Sequence, residues 1–263
     1  MAPGDVLSQR ELAEILRGVD GWLHPAEALE LYNTARTHPG RGGDPLVVEI
    51  GSWMGRSTIS LARGLIDRGS TATVMAIDPA IVTEGSTPEE SDKRNQGLID
   101  NLERAGVRKS VQAVREYSHD ARPRVADGSV DVLFVDGSHE YPDVIVDIED
   151  WTTALAEGAV VAFNDPFLPG VRRAFRERIA LKGSPYRRPR LVVNTVFFDF
   201  RRREPWTASD SMDVMRLRAL LKAQRAVSPV LAKARAGEAG VAGRSAAKVI
   251  RKILPRLVPS RRG

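Results

Sequence analysis

Five short apolar runs frame this chain, and most are closed by a glycine, an acid or an amide before a helical stretch begins. Leu46-Val-Val-Glu-Ile50 runs into Gly51, residues 71–77 into Asp78-Pro79, residues 130–135 into Asp136-Gly137 and residues 159–163 into Asn164-Asp165-Pro166; the fifth run is 110–114. Between them, residues 57–67 place Ile59, Leu61, Ala62, Leu65 and Ile66 at helical spacing, and residues 89–105 read as a helix ending at Gly106. Residues 141–155 carry Val144, Ile148, Trp151 and Leu155 as one stripe, with Pro142 in the first turn, where a missing N–H costs nothing. A helix is predicted over 171–181, and one or two more strands over 191–200 around Asn194-Thr195. Near-continuously apolar strands alternating with helices predict an α/β fold with a mostly parallel central sheet covered on both faces. Such sheets bind ligands outside the carboxyl ends of their strands. Gly51, Asp78, Asp136 and Asn164-Asp165 are therefore expected to converge on one crevice.

The flanks differ in character. Residues 1–44 form an N-terminal helical cap, with Leu7, Leu12, Ile15 and Leu16 at helical spacing, a second helix over Pro25 to Arg36, and a loop through His38–Pro45. The body is 45–208, and 209–263 is a basic extension. In that extension a helix over Asp210–Val227 is expected to break at Pro229, followed by the small-residue stretch 234–243 and a basic amphipathic helix over 246–254. From Arg216 onward there are thirteen Lys/Arg against one acid, a net of +12, while the rest of the chain carries −7. The basic balance thus belongs to the tail and is no nucleic-acid footprint of the whole chain. No aromatic residue follows Trp206, so stacking platforms are lacking and nucleic acid is not an expected partner. A solvated extension and a weak contact with an anionic membrane surface are the remaining readings of the tail. Cysteine is absent, which excludes disulfide scaffolds, thiolate metal sites and thiol nucleophiles. No 18-residue apolar run and no basic-then-apolar leader is present, so a cytoplasmic location is expected.

The loop Glu49-Ile-Gly-Ser-Trp-Met-Gly-Arg-Ser57 joins a strand to a helix. It has neither the G-x-G-x-x-G spacing nor the lysine of a P-loop. A glycine loop without phosphate chemistry suits a nucleoside cofactor lacking pyrophosphate. Glu49 is placed to meet a cationic amino group and Asp78 a ribose diol; the plainer reading is a structural turn.

Residues 48–62, Val-Glu-Ile-Gly-Ser-Trp-Met-Gly-Arg-Ser-Thr-Ile-Ser-Leu-Ala, resemble the first motif of class I S-adenosylmethionine-dependent methyltransferases, and Ala76-Ile-Asp-Pro79 resembles the second. Residues 130–141, with Asp-Gly-Ser-His-Glu-Tyr at 136–141, and residues 162–171 look like methyltransferase family 24, which includes metal-dependent O-methyltransferases of sugars and natural products. The resemblance covers about 45–200 and leaves out the tail. It implies a Rossmann-like fold, S-adenosylmethionine as cofactor, and cofactor contacts at Glu49, Gly51, Gly55 and Asp78, with Ser52 and Ser57 supporting. Residues 115–118, ending at Ser118, would lie along the adenine, and Asp136 would border the cofactor.

Asp136 and Asp165 stand 29 residues apart, one strand–helix–strand unit. Adjacent strands lie about 4.8 Å apart, so both carboxylates can reach one ion, with Asn164 beside them. This hard oxygen set favours Mg2+ over zinc. His139, at the head of the following helix, can take a hydroxyl proton near neutral pH. Similar enzymes use the matching Asp as ligand and the matching His as base. The plainer readings are that Asp136 and Asp165 cap the next helices and that His139 fills a turn. Asn164 departs from the acidic pair usual in the family and lowers the site charge by one.

The function expected from all this is O-methylation of a sugar or secondary-metabolite hydroxyl, Mg-assisted, with His139 as base. Its partners are a small-molecule acceptor and, through the cap, another copy of the chain. The alternatives are a metal-independent methyltransferase, a hydroxylase-associated protein (for which no 2-His-1-carboxylate set is present), and a non-catalytic cofactor-binding partner that works through the basic tail.

Overall fold

The computed structural model describes residues 6–81 and 85–235, with side chains as far as residue 223. Seven strands run as β1 (Val47–Ile50), β2 (Val74–Ile77), β3 (Val111–Val114), β4 (Val130–Val135), β5 (Leu155–Asn164), β6 (Tyr186–Val192) and β7 (Thr195–Phe200). The helices are α1 (Gln9–Ile15), α2 (Pro25–Thr37), α3 (Arg56–Asp67), α4 (Pro88–Arg104), α5 (Ser118–Ala121), α6 (Tyr141–Ala154), α7 (Pro169–Ala174) and α8 (Ala208–Arg235). The strand order is β3-β2-β1-β4-β5-β7-β6. Strands β1 to β5 pair in parallel, and β7 and β6 close the far edge antiparallel. The order reverses between β1 and β4, which is where such sheets open a crevice.

Side-chain alternation assigns each strand residue to one of two cores. Val47, Val74, Ala76, Val132, Phe134 and Phe197 pack with Leu12, Leu31, Tyr32, Ile59, Leu65 and Leu102 from α1 to α4. Val48, Ile50, Leu133, Val135, Phe163 and Phe198 pack with Ile148, Trp151, Val171 and Phe175 on the other face. Leu217, Leu220 and Leu221 of α8 join this second core, so buried packing continues past residue 208. The N-terminal helices likewise share a core with the strands. α2 is tied down by its own buried polar groups: the Tyr32 hydroxyl donates to Asp67 at 3.0 Å and accepts the Leu7 N–H at 3.0 Å.

The expected elements appear, with shifted limits at several ends. The helix expected over 171–181 is a six-residue α7 followed by a π-turn at Phe175–Ile179. Strand pairing begins earlier than 191, at Tyr186, because the ribbon of β6 and β7 buries Tyr186 against Phe163, Phe198 and Phe200. Helix α8 runs through Pro229 to Arg235 and does not break there. A proline penalises a helix by about 3 kcal/mol without forbidding it, and the alanines around it favour helix. The segment 236–263, with the helix expected over 246–254, lies outside the described residues. No helix among the described residues is long and apolar enough to cross a membrane.

Candidate active site

The strand ends enclose a cavity of about 680 Å3. Gly51 makes this possible. Its φ is +85°, and a Cβ there would lie 2.1 Å from the Asp136 carbonyl oxygen. The Asp136 N–H donates to the Ile50 carbonyl at 2.8 Å, so the loop after β1 and the turn after β4 are in backbone contact. Gly170 plays a similar part at the start of α7, where a Cβ would meet the His139 carbonyl at 2.2 Å.

Gly51, Ser52, Ser57, Asp78, Ser118, Asp136, His139, Asn164 and Asp165 all line the cavity. Glu49 and Gly55 do not. Glu49 is fully buried beneath the cavity floor, where its carboxylate accepts from the Thr58 hydroxyl and leaves one oxygen without a partner. Burial pushes this carboxyl up to about 8, with the charges of Asp136 and Asp78 adding to the rise. The carboxyl thus lies beneath the cavity wall and not on it. Gly55 is the left-handed N-cap of α3, where a Cβ would press on Leu98 at 2.9 Å.

Asp78 stands where the ribose acid was expected, but its oxygens are already engaged. Oδ2 accepts from the Trp53 N–H at 2.9 Å and Arg94 Nη2 at 2.5 Å; Oδ1 accepts from the Ala80 N–H at 2.7 Å and Arg94 Nη1 at 2.6 Å. The Arg94 guanidinium lies 4.6 Å from the centre of the Trp53 ring, and Trp53 lies 5.7 Å from Trp22. Trp22 is 84% exposed at the cavity mouth.

On the far side of the cavity, His139 Nε2 sits 3.7 Å from Asp136 Oδ1 and 3.7 Å from Asp165 Oδ2. Nε2 is buried without a hydrogen-bond partner. The Asp136 carboxylate holds the imidazole above its ordinary value against the opposing effect of burial, and Asp165 and Glu140 add to the rise. Burial raises Asp165, and the Asp136 charge raises it further. Asp165 has φ +49°, a left-handed conformation that Asp tolerates better than most residues and that aims its side chain back toward β4. Asn164 Nδ2 donates to Asp136 Oδ1 at 3.1 Å, and Asn164 Oδ1 accepts from the Thr195 hydroxyl at 2.9 Å. Among the described residues, no group of three or more His, Cys, Asp or Glu side chains has the arrangement of a metal site.

Sequence reasoning missed Arg94, Trp22, Arg56 and Asp147, all in the cavity wall. Asp147 is buried, accepts from the Ser118 hydroxyl, and is pushed up to about 6 by burial. Its signal was an acid one turn beyond Asp143 on the polar border of the α6 stripe.

Residues 48–166 match a family model described as methyltransferase domain, family 24. An uncharacterized protein of Acanthamoeba polyphaga mimivirus is 28% identical over 156 residues, 55% of this chain and 65% of that protein. A catechol O-methyltransferase of Mycobacterium tuberculosis is 32% identical over 120 residues, 45% of this chain and 47% of that protein. The chain thus spans less than two thirds of either curated relative. Among solved structures, the O-methyltransferase TomG of Streptomyces achromogenes, in complex with SAM and involved in tomaymycin synthesis, superposes with a TM-score of 0.50 at 20% identity, covering 73% of this chain and 88% of that one. The matched stretch begins in β1 and ends in the turn after β5, taking in the strand ends that border the cavity, and over it the chain resembles a methyltransferase domain of family 24 on a sheet of Rossmann-like order.

Proposed function

We propose that the chain is an S-adenosylmethionine-dependent O-methyltransferase acting on a hydroxyl of a sugar or other small natural product in the cytoplasm. The observation that carries this reading is His139 on the cavity wall, its Nε2 unpartnered between two carboxylates at the strand ends. The names of the catechol methyltransferase and of TomG agree with a small-molecule hydroxyl acceptor.

The cofactor, when bound, supplies a methyl group on a sulfonium. The chain's own residues do the rest. Gly51 and Ser52 leave room at the loop after β1, and Ser118 borders the opposite wall. His139 takes the acceptor's hydroxyl proton at Nε2, and the Asp136 and Asp165 carboxylates stabilise the imidazolium that forms. The apolar rim of Trp22, Ile81, Tyr117 and Val146, each partly exposed, limits water at the mouth.

Asp136, Asp165 and Asn164 supply hard oxygen donors that suit Mg2+. Asn164 now turns its N–H toward Asp136 and its oxygen toward Thr195, so it joins the donor set only with its amide turned over. The ion would hold the acceptor hydroxyl and lower its pKa. A second reading, transfer without metal, is favoured by that same amide orientation and by the imidazole filling the space between the carboxylates.

Calorimetric titration of S-adenosylhomocysteine, with Mg2+ and with EDTA, tests the proposal. Micromolar binding is expected, with His139→Ala retaining binding and losing transfer to every acceptor. No binding in either condition would overturn it, and undiminished transfer in EDTA would select the metal-free reading.

A further inference from the structure

Glu27 lies outside the cavity, on α2 in the N-terminal cap, and is only 2% exposed. Its Oε2 accepts the His24 N–H at 2.8 Å. Its Oε1 accepts the Asn194 N–H at 2.7 Å and lies 2.9 Å from the Thr195 hydroxyl. That hydroxyl also lies 2.9 Å from Asn164 Oδ1, and Asn164 Nδ2 lies 3.1 Å from Asp136 Oδ1. A line of four side chains thus runs from the cap to the carboxylate beside His139.

The line has too few protons for every contact to be a hydrogen bond. A threonine hydroxyl carries one proton, yet Thr195 faces two acceptors, Glu27 Oε1 and Asn164 Oδ1. Two assignments resolve the conflict. In the first, Glu27 is protonated and donates to Thr195, Thr195 donates to Asn164 Oδ1, and the Asn164 N–H donates to Asp136. In the second, Glu27 is ionised and takes the Thr195 proton, and the Asn164 amide turns over to donate its N–H to Thr195. The two ends of an amide have nearly the same shape, so turning costs no packing. The turned amide sets Asn164 Oδ1 against Asp136 Oδ1, two acceptors face to face, a contact that a cation between them would make favourable.

We propose that Glu27, acting through the single proton of Thr195, decides which end of the Asn164 amide faces Asp136. Uptake of a divalent cation there is thereby coupled to release of a proton from Glu27 to water. This rests on the Mg2+ part of the proposed function. Glu27 is a positioning residue and touches neither cofactor nor acceptor.

The surroundings allow Glu27 to hold a proton. Burial raises its carboxyl above the ordinary value, against the lowering effect of the Asn194, Thr195 and His24 contacts. Its titratable or charged neighbours are His24 at the head of its own helix, whose Nδ1 accepts the Ala26 N–H, and, from the ribbon, Arg190, which is engaged by Glu30 at 2.5 Å. The packed face of α3 offers Asp67, held by Arg63 at 2.5 Å and by Tyr32.

The test is calorimetric titration of Mg2+ into the full chain, between pH 5 and pH 8, in two buffers of different ionisation heat. The wild type, Glu27→Gln, Thr195→Val and Thr195→Ser are compared. Below the pH where Glu27 ionises, one coupled proton weakens the wild-type Mg2+ affinity about tenfold for each pH unit lowered. Glu27→Gln and Thr195→Val should each release about one proton fewer per Mg2+ in that range and lose that part of the pH slope. His139 contributes equally to all four proteins, and Thr195→Ser, which keeps the hydroxyl, should restore the wild-type count. Thr195→Val covers the case in which Glu27→Gln unsettles the cap. Equal proton release in all four proteins would overturn this inference alone. No Mg2+ binding to the wild type would overturn the cation reading and this inference together, leaving the methyltransferase assignment to the S-adenosylhomocysteine titration.

Discussion

Arg94 covers Asp78, at the end of β2, with a two-pronged ion pair at 2.6 and 2.5 Å. Both side chains are largely buried. Removing one member of a buried pair leaves the other charge uncompensated and costs about 3 kcal/mol or more. Asp78→Ala should therefore lower the denaturant midpoint markedly. Asp78→Asn, which keeps an oxygen for one of the two backbone donors, should lower it less. Unchanged denaturation curves for both variants would refute the pairing. Any loss of cofactor binding in Asp78→Ala has to be compared with this loss of stability.

His139 should titrate above an ordinary histidine, because the Asp136 carboxylate favours its charged form. The folded-state value is the raised one, so this contribution to stability is fully present below the unfolded value. It fades as pH rises through the folded value. Base catalysis runs the other way, since only the neutral ring accepts a proton, so the transfer rate should climb through that same range. NMR titration of the imidazole in wild type and Asp136→Asn measures the effect. An unchanged midpoint in the variant would contradict it.

Asp147 gives the opposite sign to the usual carboxylate. Burial raises it to about 6, so between its unfolded value and that point the folded chain holds more protons than the unfolded one. Stability should fall as pH rises through this window, by up to about 3 kcal/mol at 1.36 kcal/mol per pKa unit. Asp147→Asn should be more stable than wild type at pH 7, and the gap should close near pH 4. Parallel stability curves for the two proteins would exclude this.

Gly51→Ala should fail to fold or should lose several kcal/mol, because the added carbon meets the Asp136 carbonyl at 2.1 Å in a left-handed backbone. Soluble yield and thermal melting will show whether it does. A wild-type melting curve would mean that β1 and β4 can separate at their ends without cost.

The parallel sheet was legible because its strands are apolar and end in residues with distinct chemistry. Gly51, Asp136, His139 and Asp165 met in one place because a strand end is a fixed address in such a fold. What the sequence could not show was competition for those groups. Nothing in the sequence says that Glu49 is fully buried, or that Arg94, sixteen residues on from Asp78, lies across that carboxylate. Local pattern carries no record of which distant side chain reaches a carboxylate first. The ribbon of β6 and β7 was half visible, since Tyr186 to Arg190 is rich in arginine and resembles a loop.

The reversal at β7 has a consequence for how this sheet can vary. A parallel neighbour would bring only the end of a strand to the catalytic face, whereas β7 brings its beginning, with Thr195 in register with Asn164. The two residues that join β6 to β7, Val193 and Asn194, therefore back the turn that carries Asp165. Val193 has φ +52°, the Asn194 carbonyl accepts the Asp165 N–H at 2.8 Å, and the Asn194 N–H donates to Glu27. A hairpin tip is ordinarily the place where a protein tolerates insertion. Here it acts as a spacer of fixed length between the cap and the site, and one added residue would put the two halves out of register.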